Sequence, residues 1–199
     1  VEQPTSGTIT YDGRVVTLPP NGEAEGLGIV LIHQEFNLAE HLKVADSIFL
    51  GREISHGGIL DVRQMRAKAR ELLDTLHVEV STEARIDTLT VAEKQMVEIA
   101  KAISRDARVL IMDEPTAVLS VGETQTLFEQ IRRLTERGVA IIFISHKLDE
   151  VMALADRVTV LRDGQLIATV GTAALTPDSA AQMMVGRELS NLYPPKHEP

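Results

Sequence analysis

Three apolar runs along the chain do not alternate with polar residues. They lie at 28–32, 109–112 and 139–144. A strand that is buried on both faces of a parallel sheet reads as a continuous apolar run, because neither face carries polar side chains. The three runs therefore predict the central strands of a parallel sheet that is covered on both sides.

Between these runs, apolar residues recur at the three- and four-residue spacing of an amphipathic helix. Four such stripes occur, with the members Met65, Ala69, Leu72, Leu73 and Leu76; Met96, Ile99, Ala100 and Ile103; Leu127, Phe128, Ile131 and Leu134; and Leu148, Val151, Met152 and Ala155. Gly138 stands where a helix is expected to end, and Thr176-Pro177 where one is expected to start. The order of strands and helices predicts an α/β fold.

Shorter segments add three features to this α/β pattern. Asp12-Gly13 and Asp163-Gly164 each lie between strand-like runs, which predicts two antiparallel β-hairpins. The region 36–88 is almost entirely helical in pattern and contains no buried strand run, which indicates a separate helical lobe. After Gly186 the chain becomes polar and rich in proline, so we expect 187–199 to form a linker.

Composition limits the classes of function. Of the 199 residues, 44% are hydrophobic and 25% are charged, which is typical of a soluble globular protein with a packed core. The net charge of -9 and the lack of a Lys and Arg cluster argue against nucleic-acid binding. No apolar run is long enough to cross a bilayer and no basic leader is present, so we expect a cytosolic protein. The absence of cysteine fits a reducing compartment.

Two adjacent carboxylates follow the second apolar run. Asp113 and Glu114 end this predicted strand, and Pro115 stops the ladder of hydrogen bonds. One carboxylate can hold a magnesium ion, usually through water, while the other serves as general base toward an attacking water. Phosphoryl transfer requires these two tasks. Taken alone, the pair is also compatible with a strand end that merely exposes two charges to solvent.

Polar side chains follow the other two runs in the same way. Ser145-His146 comes after the third run, and His33-Gln34 after the first. Because the carboxyl ends of parallel strands share one edge, we expect Gln34 and His146 to lie near the carboxylates. An imidazole can hydrogen-bond a developing phosphate charge, and an amide suits a metal-bound water. A single histidine is more often structural, but three strand ends that meet at one edge indicate a site.

A further motif, Leu89-Thr90-Val91-Ala92-Glu93, precedes the second helical stripe. Thr90 and Glu93 have the spacing of a capping box, which predicts an ordinary helix start. Helix starts also bind anions, because their first N–H groups have no partner within the helix.

The order of these motifs resembles the nucleotide-binding domain of ATP-binding cassette transporters. The matching segments are Gln34, 89–95, 110–116 and 144–146. The resemblance covers 1–186 and implies a P-loop NTPase-like parallel sheet core with flanking helices, a helical subdomain at about 36–88 and antiparallel hairpins. It implies that Glu114 and His146 are catalytic and that Gln34, Asp113 and Ser120 contact the nucleotide or its magnesium-bound water. Asp113 and Gln34 would hold Mg²⁺ through water, beside ATP.

A finer resemblance is to the ATP-binding proteins of ribose, galactose and xylose importers. The segments 33–38, 95–101 and 184–189 carry it. It implies ATP hydrolysis coupled to monosaccharide import and a location on the inner face of the plasma membrane. The implied partners are permease membrane subunits, a second cassette beyond the 187–199 linker and, indirectly, a periplasmic sugar-binding protein. The transported sugar cannot be read from such a subunit.

The sequence departs from the family pattern in two main places and, to a smaller extent, at Ser120, where many cassettes have aspartate. None of the 13 glycines precedes a lysine, so the phosphate-binding loop Gly-x-x-x-x-Gly-Lys-Ser/Thr does not occur. We therefore expect a first cassette truncated before Val1, which binds ATP very weakly and does not hydrolyse it. In the motif at 89–93, Val91 and Ala92 replace family glycines and Glu93 adds a carboxylate. This motif acts across a cassette pair, so we hypothesise that it faces a weakened site.

Two other functions remain open from the sequence. The chain could be a non-catalytic docking module that binds a permease or another cassette through its helical lobe. It could also be a soluble cassette ATPase of translation or DNA repair, which the acidic composition supports poorly.

Overall fold

The computed structural model describes residues 5–17 and 23–185. The chain divides into two compact units, Val1–Ile144 and Ser145–Pro199, and each is described by itself. The predicted linker at 187–199 lies outside the described residues. No helix in the described residues is both long and apolar enough to cross a membrane.

The first unit opens with a hairpin of β1 (Ile9–Tyr11) and β2 (Arg14–Val16). Asp12 and Gly13 form its turn, with φ values of 52° and 74°. Two successive residues with positive φ are what the favoured two-residue hairpin turn requires, because its twist matches that of the strands. The predicted hairpin is confirmed. A short helix, α1 (Glu23–Gly26), then precedes the sheet.

The remaining elements of the first unit include the predicted strands and helices and also a short pair of strands that the sequence pattern did not predict. In chain order they are β3 (Ile29–Ile32), α2 (Val44–Ile48), β4 (Ser55–His56), β5 (Ile59–Leu60), α3 (Val62–Thr75), α4 (Val91–Ile103), β6 (Val109–Asp113), α5 (Val121–Glu136) and β7 (Ala140–Ile144). Strands β3, β6 and β7 form a parallel sheet in that order. The three apolar runs are therefore its strands, as predicted.

One face of this sheet is packed and the other is open. Leu110 and Met112 of β6 are fully buried, and α5 packs on the same face, where the ring of Phe128 meets Phe143 edge-on at 6.1 Å. On the opposite face, Leu31 is 44% exposed and Ile142 is 49% exposed. The prediction of a sheet covered on both faces is wrong within the described part of the first unit. Apolar side chains on a strand make a face suitable for burial, but another element must pack on that face to bury it.

The region 36–88 is less helical than predicted. Helices α2 and α3 pack on each other and on α4, with Val44, Leu73 and Ile99 fully buried. Between the two helices, β4 and β5 form an exposed hairpin around Gly57-Gly58, and both glycines have positive φ. Each strand has only two residues, so its side chains show no alternation that the sequence pattern could detect. A separate helical subdomain remains a prediction.

Helix α5 ends as predicted at Gly138. The Gly138 N–H donates to the Thr135 carbonyl at 2.9 Å, and the Val139 N–H donates to the Leu134 carbonyl at 3.1 Å. Gly138 has a φ of 87°, which glycine adopts without a steric cost. The turn leads directly into β7.

The second unit contains α6 (Leu148–Leu154), β8 (Arg157–Arg162), β9 (Gln165–Gly171) and α7 (Pro177–Val185). Strands β8 and β9 form the second predicted hairpin, with its turn at Asp163-Gly164. Helix α7 begins at Pro177, after Thr176, which confirms the predicted helix start. It packs against α6 and β8, and Arg162 donates to the carbonyl of Met183 at 3.2 Å.

Candidate functional site

The strand register places three predicted site residues at one edge of the sheet. Ile32, the last residue of β3, pairs with Met112 of β6. Asp113 follows Met112 directly, and Gln34 lies two residues beyond Ile32 on the neighbouring strand. Glu114 comes next to Asp113. The ends of β3 and β6 therefore share the carboxyl edge of the sheet, where Asp113 and Glu114 follow β6 directly and Gln34 comes two residues after β3; a common site for the three remains a prediction.

The backbone changes direction at Glu114. Its N–H still donates to the Ile144 carbonyl at 2.9 Å, so it remains attached to β7. Its φ is 46°, in the left-handed region that costs a non-glycine residue about 1 kcal/mol or more. The following Pro115 and Thr116 are buried. The carboxylate pair therefore stands on a fixed turn, with both residues partly buried, rather than on a loose strand end.

His146 belongs to the second unit, two residues after the end of β7, and is exposed. Beside it, the Lys147 N–H donates to the Ser145 hydroxyl at 3.1 Å, and the Lys147 ammonium pairs with Glu150 at 3.1 Å. These contacts fix the segment that leads into α6. A place for His146 beside Glu114 remains a prediction.

The motif at 89–93 forms the predicted helix start. The Thr90 N–H and hydroxyl both donate to one carboxylate oxygen of Glu93, at 2.8 and 2.9 Å. The Glu93 N–H in turn donates to the Thr90 hydroxyl at 3.3 Å, which completes a capping box before α4. Leu89 is partly buried and Val91 is 40% exposed. The Glu93 carboxylate thus occupies donors at a helix start that could otherwise serve an anion.

Ser120 caps α5 with the same geometry. Its N–H and hydroxyl donate to the Glu123 carboxylate at 2.8 and 2.7 Å, and the Glu123 N–H donates to the Ser120 hydroxyl at 3.4 Å. The sequence assigned Ser120 to nucleotide contact through the family resemblance. In the structure its hydroxyl serves the helix start, and the nucleotide contact remains a prediction.

Replacing Ser120 by alanine is expected to weaken α5 and to raise the pKa of Glu123. The Ser120 hydroxyl, followed by the Ser120 N–H, holds the pKa of the Glu123 carboxyl below its usual value. A lowered pKa stabilises the fold above the usual glutamate pKa, and this contribution is lost as the pH falls through the lower value. Loss of a serine N-cap costs about 1 kcal/mol. We therefore expect the Ser120→Ala deficit in unfolding free energy to be larger at pH 7 than at pH 3.

Urea unfolding at both pH values and an NMR titration of the Glu123 carboxyl measure the two effects. Ser55→Ala, at an exposed position of β4, is the matched control and should change neither quantity. An unchanged Glu123 pKa in Ser120→Ala would contradict the assignment of Ser120 as its main hydrogen-bond donor.

The donor set at the sheet edge suits magnesium. Asp113 offers a carboxylate and Gln34 an amide oxygen, and Mg²⁺ takes such oxygen ligands while it keeps several waters. Among the described residues, no group of three or more His, Cys, Asp or Glu side chains could hold a metal ion. Asp113 and Gln34 are thus the residues that would hold a magnesium ion, with water among its other ligands.

Two buried charged residues on α4 escape the sequence analysis. Glu98 and Lys101 are each 8% exposed and both contact the backbone of Asn37, in the loop that follows Gln34. The pattern showed only the apolar members of this helix. The available signal was a pair of opposite charges three residues apart, which share the side of the helix roughly opposite Met96 and Ile99.

Known proteins resemble the chain in both sequence and structure. The family model for ABC transporters matches residues 1–117. A ribose import ATP-binding protein of Rubrobacter xylanophilus is 50% identical over 194 residues, which cover 98% of this chain and 39% of that protein. A putative ribose/galactose/methyl galactoside import ATP-binding protein of Agrobacterium fabrum is 47% identical over 194 residues, which cover 98% of this chain and 38% of that protein. The chain thus spans about two fifths of the length of these relatives.

The fold is that of solved ATP-binding cassettes. One cassette of an ABC transporter superposes with a TM-score of 0.78 at 22% sequence identity, over 92% of this chain and 76% of that chain. This similarity confirms the predicted α/β fold of P-loop type, with a parallel sheet core, flanking helices and antiparallel hairpins. With the family model matched over more than half of its residues, the chain belongs to the ABC transporter family.

Proposed function

We propose that this chain is part of the ATP-binding and ATP-hydrolysing subunit of a bacterial importer for a monosaccharide. The observation that carries the proposal is the Asp113-Glu114 pair on its fixed turn, with Gln34 two residues after the end of the neighbouring strand. The sugar-import names of relatives that are 47 and 50% identical support the substrate class. Because these identities are so close, they do not separate ribose from galactose.

Each residue of the edge has a separate task in this proposal. Glu114 takes a proton from the attacking water, because a carboxylate is the basic group at the turn. Asp113 would hold magnesium through water, and Gln34 would help to orient the water beside that ion. Magnesium, when bound, neutralises charge on the phosphate oxygens. His146 donates a hydrogen bond to the phosphate as its charge grows.

The motif at 89–93 completes a site on a paired cassette rather than its own in this proposal. With the Glu93 carboxylate already bound to Thr90, this helix start offers a phosphate fewer donors and a like charge. The site that it faces is therefore the weaker one of the pair.

The proposed partners follow from the same family. Permease membrane subunits dock on the helical lobe at 36–88, a second cassette pairs with the first, and a periplasmic sugar-binding protein acts through the permease. The subunit then lies at the cytoplasmic face of the membrane. Nucleic acid is not a proposed partner, since the chain carries a net charge of -9.

The 199-residue chain alone is expected to bind ATP weakly and to hydrolyse none. Most of the binding energy for the phosphates comes from backbone N–H groups and the lysine of a phosphate-binding loop, and these 199 residues contain no such motif. Calorimetric titration with Mg-ATP should give a Kd weaker than roughly 1 mM. The rate of phosphate release from ATP by this chain should equal the rate by the same chain with Glu114→Gln. Magnesium-dependent release above that level would contradict the prediction.

A non-catalytic docking role is the second candidate. The exposed apolar residues Ile59 (77%) and Leu60 (54%) of β5, within the helical lobe, favour it. In the docking role, Ile59→Ser with Leu60→Ser abolishes co-purification of the chain with the permease, while Glu114→Gln leaves transport intact. In the catalytic role, Glu114→Gln stops transport.

A further inference from the structure

Glu98 and Lys101 are buried charges on a helix whose other buried residues, apart from Gln95, are apolar. Each is 8% exposed, whereas Val97, Ile99 and Ala100 of the same helix are fully buried. Removing a charge from water costs several kcal/mol unless the charge is paired or hydrogen-bonded. Apolar residues would pack α4 at no such cost, so the two charges point to a specific contact.

Both charges bind the backbone of a single residue. The Asn37 N–H donates to a carboxylate oxygen of Glu98 at 2.9 Å, and the Lys101 ammonium donates to the Asn37 carbonyl at 2.9 Å. The two partners are 61 and 64 residues away from Asn37 in sequence. Hydrogen bonds to ionised groups are roughly twice as strong as neutral ones. Asn37 is thus held at both of its backbone polar groups.

This arrangement limits where Gln34 can lie. Gln34 is three residues before Asn37, and three residues span at most about 11 Å when fully extended. Gln34 is also attached to β3 through Ile32, two residues before it. The chain around Gln34 is therefore held by the sheet on one side and by α4 on the other.

We propose that Glu98 and Lys101 are positioning residues that clamp the Gln34 loop to α4. The Asn37 clamp, which consists of Glu98, Lys101 and the Asn37 backbone, makes the loop move with the helix that begins at the 89–93 motif. A shift of α4 then changes the position of Gln34 at the sheet edge. The consequence for ATP hydrolysis rests on the proposed function, but the clamp itself does not.

Amide hydrogen exchange in the ¹⁵N-labelled chain tests the clamp without nucleotide. Glu98→Met removes the acceptor, and we expect the Asn37 amide to exchange about tenfold to a hundredfold faster, as for the loss of a charged hydrogen bond. Amides in the middle of α5 should keep their rates. Glu98→Gln keeps an acceptor and should give a smaller change. Lys101→Met, with Lys101→Arg as its conservative variant, tests the other half of the clamp independently.

Glu40→Gln is the matched control, because the exposed Glu40 side chain pairs with the partly buried Lys94 ammonium of α4 at 3.5 Å and this contact does not involve the loop backbone. It should leave the Asn37 amide unchanged. An unchanged Asn37 rate in both Met variants would overturn the clamp. An equal increase at all amides would also overturn it, since that result reports global destabilisation.

A double-mutant cycle in the complete gene product tests the link to Gln34. Glu98→Met should lower kcat with little change in KM for ATP, and it should add little to the loss already caused by Gln34→Ala. Additive losses would mean that Glu98 acts independently of Gln34 and would overturn the positioning role. If Glu114→Gln keeps full activity, the proposed function fails, while exchange at Asn37 still decides whether the clamp exists.

Discussion

Glu114→Gln is expected to lower the kcat for ATP hydrolysis by the complete gene product about a hundredfold to ten-thousandfold, which is the usual contribution of a general base. Glutamine has nearly the same size as glutamate but cannot accept the proton. The backbone contact of residue 114 survives, because its N–H donates to the Ile144 carbonyl regardless of the side chain. The loss therefore reports chemistry and not a change in the turn.

Phosphate release at saturating Mg-ATP, measured with the membrane subunits present, determines kcat, and the ATP dependence gives KM. KM should change little, since the proton is transferred after ATP binds. Glu129→Gln, at an exposed position of α5, removes a carboxylate away from the edge and serves as control. A Glu114→Gln variant with the wild-type kcat would contradict the assignment of Glu114 as the base.

The same substitution tests the proposed inequality of two paired sites. If the Glu93 carboxylate weakens the site that its motif faces, removal of the general base of that site should reduce ATP turnover less than removal of Glu114 does. Equal losses of turnover from Glu114→Gln and from the equivalent change in the second cassette would contradict the inequality.

Local signals explain what the sequence predicted correctly. The Thr90-Glu93 capping box, the Asp12-Gly13 turn and the end of α5 at Gly138 each depend on residues within a few positions of one another. The edge of the sheet was also predictable, because parallel strands put their carboxyl ends together whatever the loops between them do. The ends of β3 and β6, which Gln34 and Asp113 follow or form, accordingly lie at that edge.

The features that the sequence did not predict depend on distant residues. The Asn37 clamp joins positions more than 60 residues apart, so no local pattern contains it. Ser120 was assigned by its position in a family motif, yet its hydroxyl bonds to Glu123, a partner that the spacing of a capping box could have indicated. The open face of the sheet was not predicted, because an apolar strand shows that a face can be buried but does not show whether another element covers it.

Leu110→Ala is expected to destabilise the chain far more than Leu31→Ala, although both remove the same atoms from neighbouring strands of one sheet. Leu110 is fully buried on the packed face, and such truncations cost about 2–5 kcal/mol in the free energy of unfolding. Leu31 is 44% exposed on the open face, where substitutions usually change the free energy of unfolding by no more than about 0.5 kcal/mol. Leu110 pairs with Val30, and Leu31 pairs with Ile111. These two pairs are neighbours in the ladder between β3 and β6.

Urea unfolding of the two variants, followed by circular dichroism, measures this difference directly. The slope of the unfolding free energy with urea should stay constant, since neither change alters the surface that unfolding exposes. Comparable losses in both variants would mean that the second face is packed as tightly as the first. The one-sided sheet would then be wrong, and the prediction from the three apolar runs would be restored.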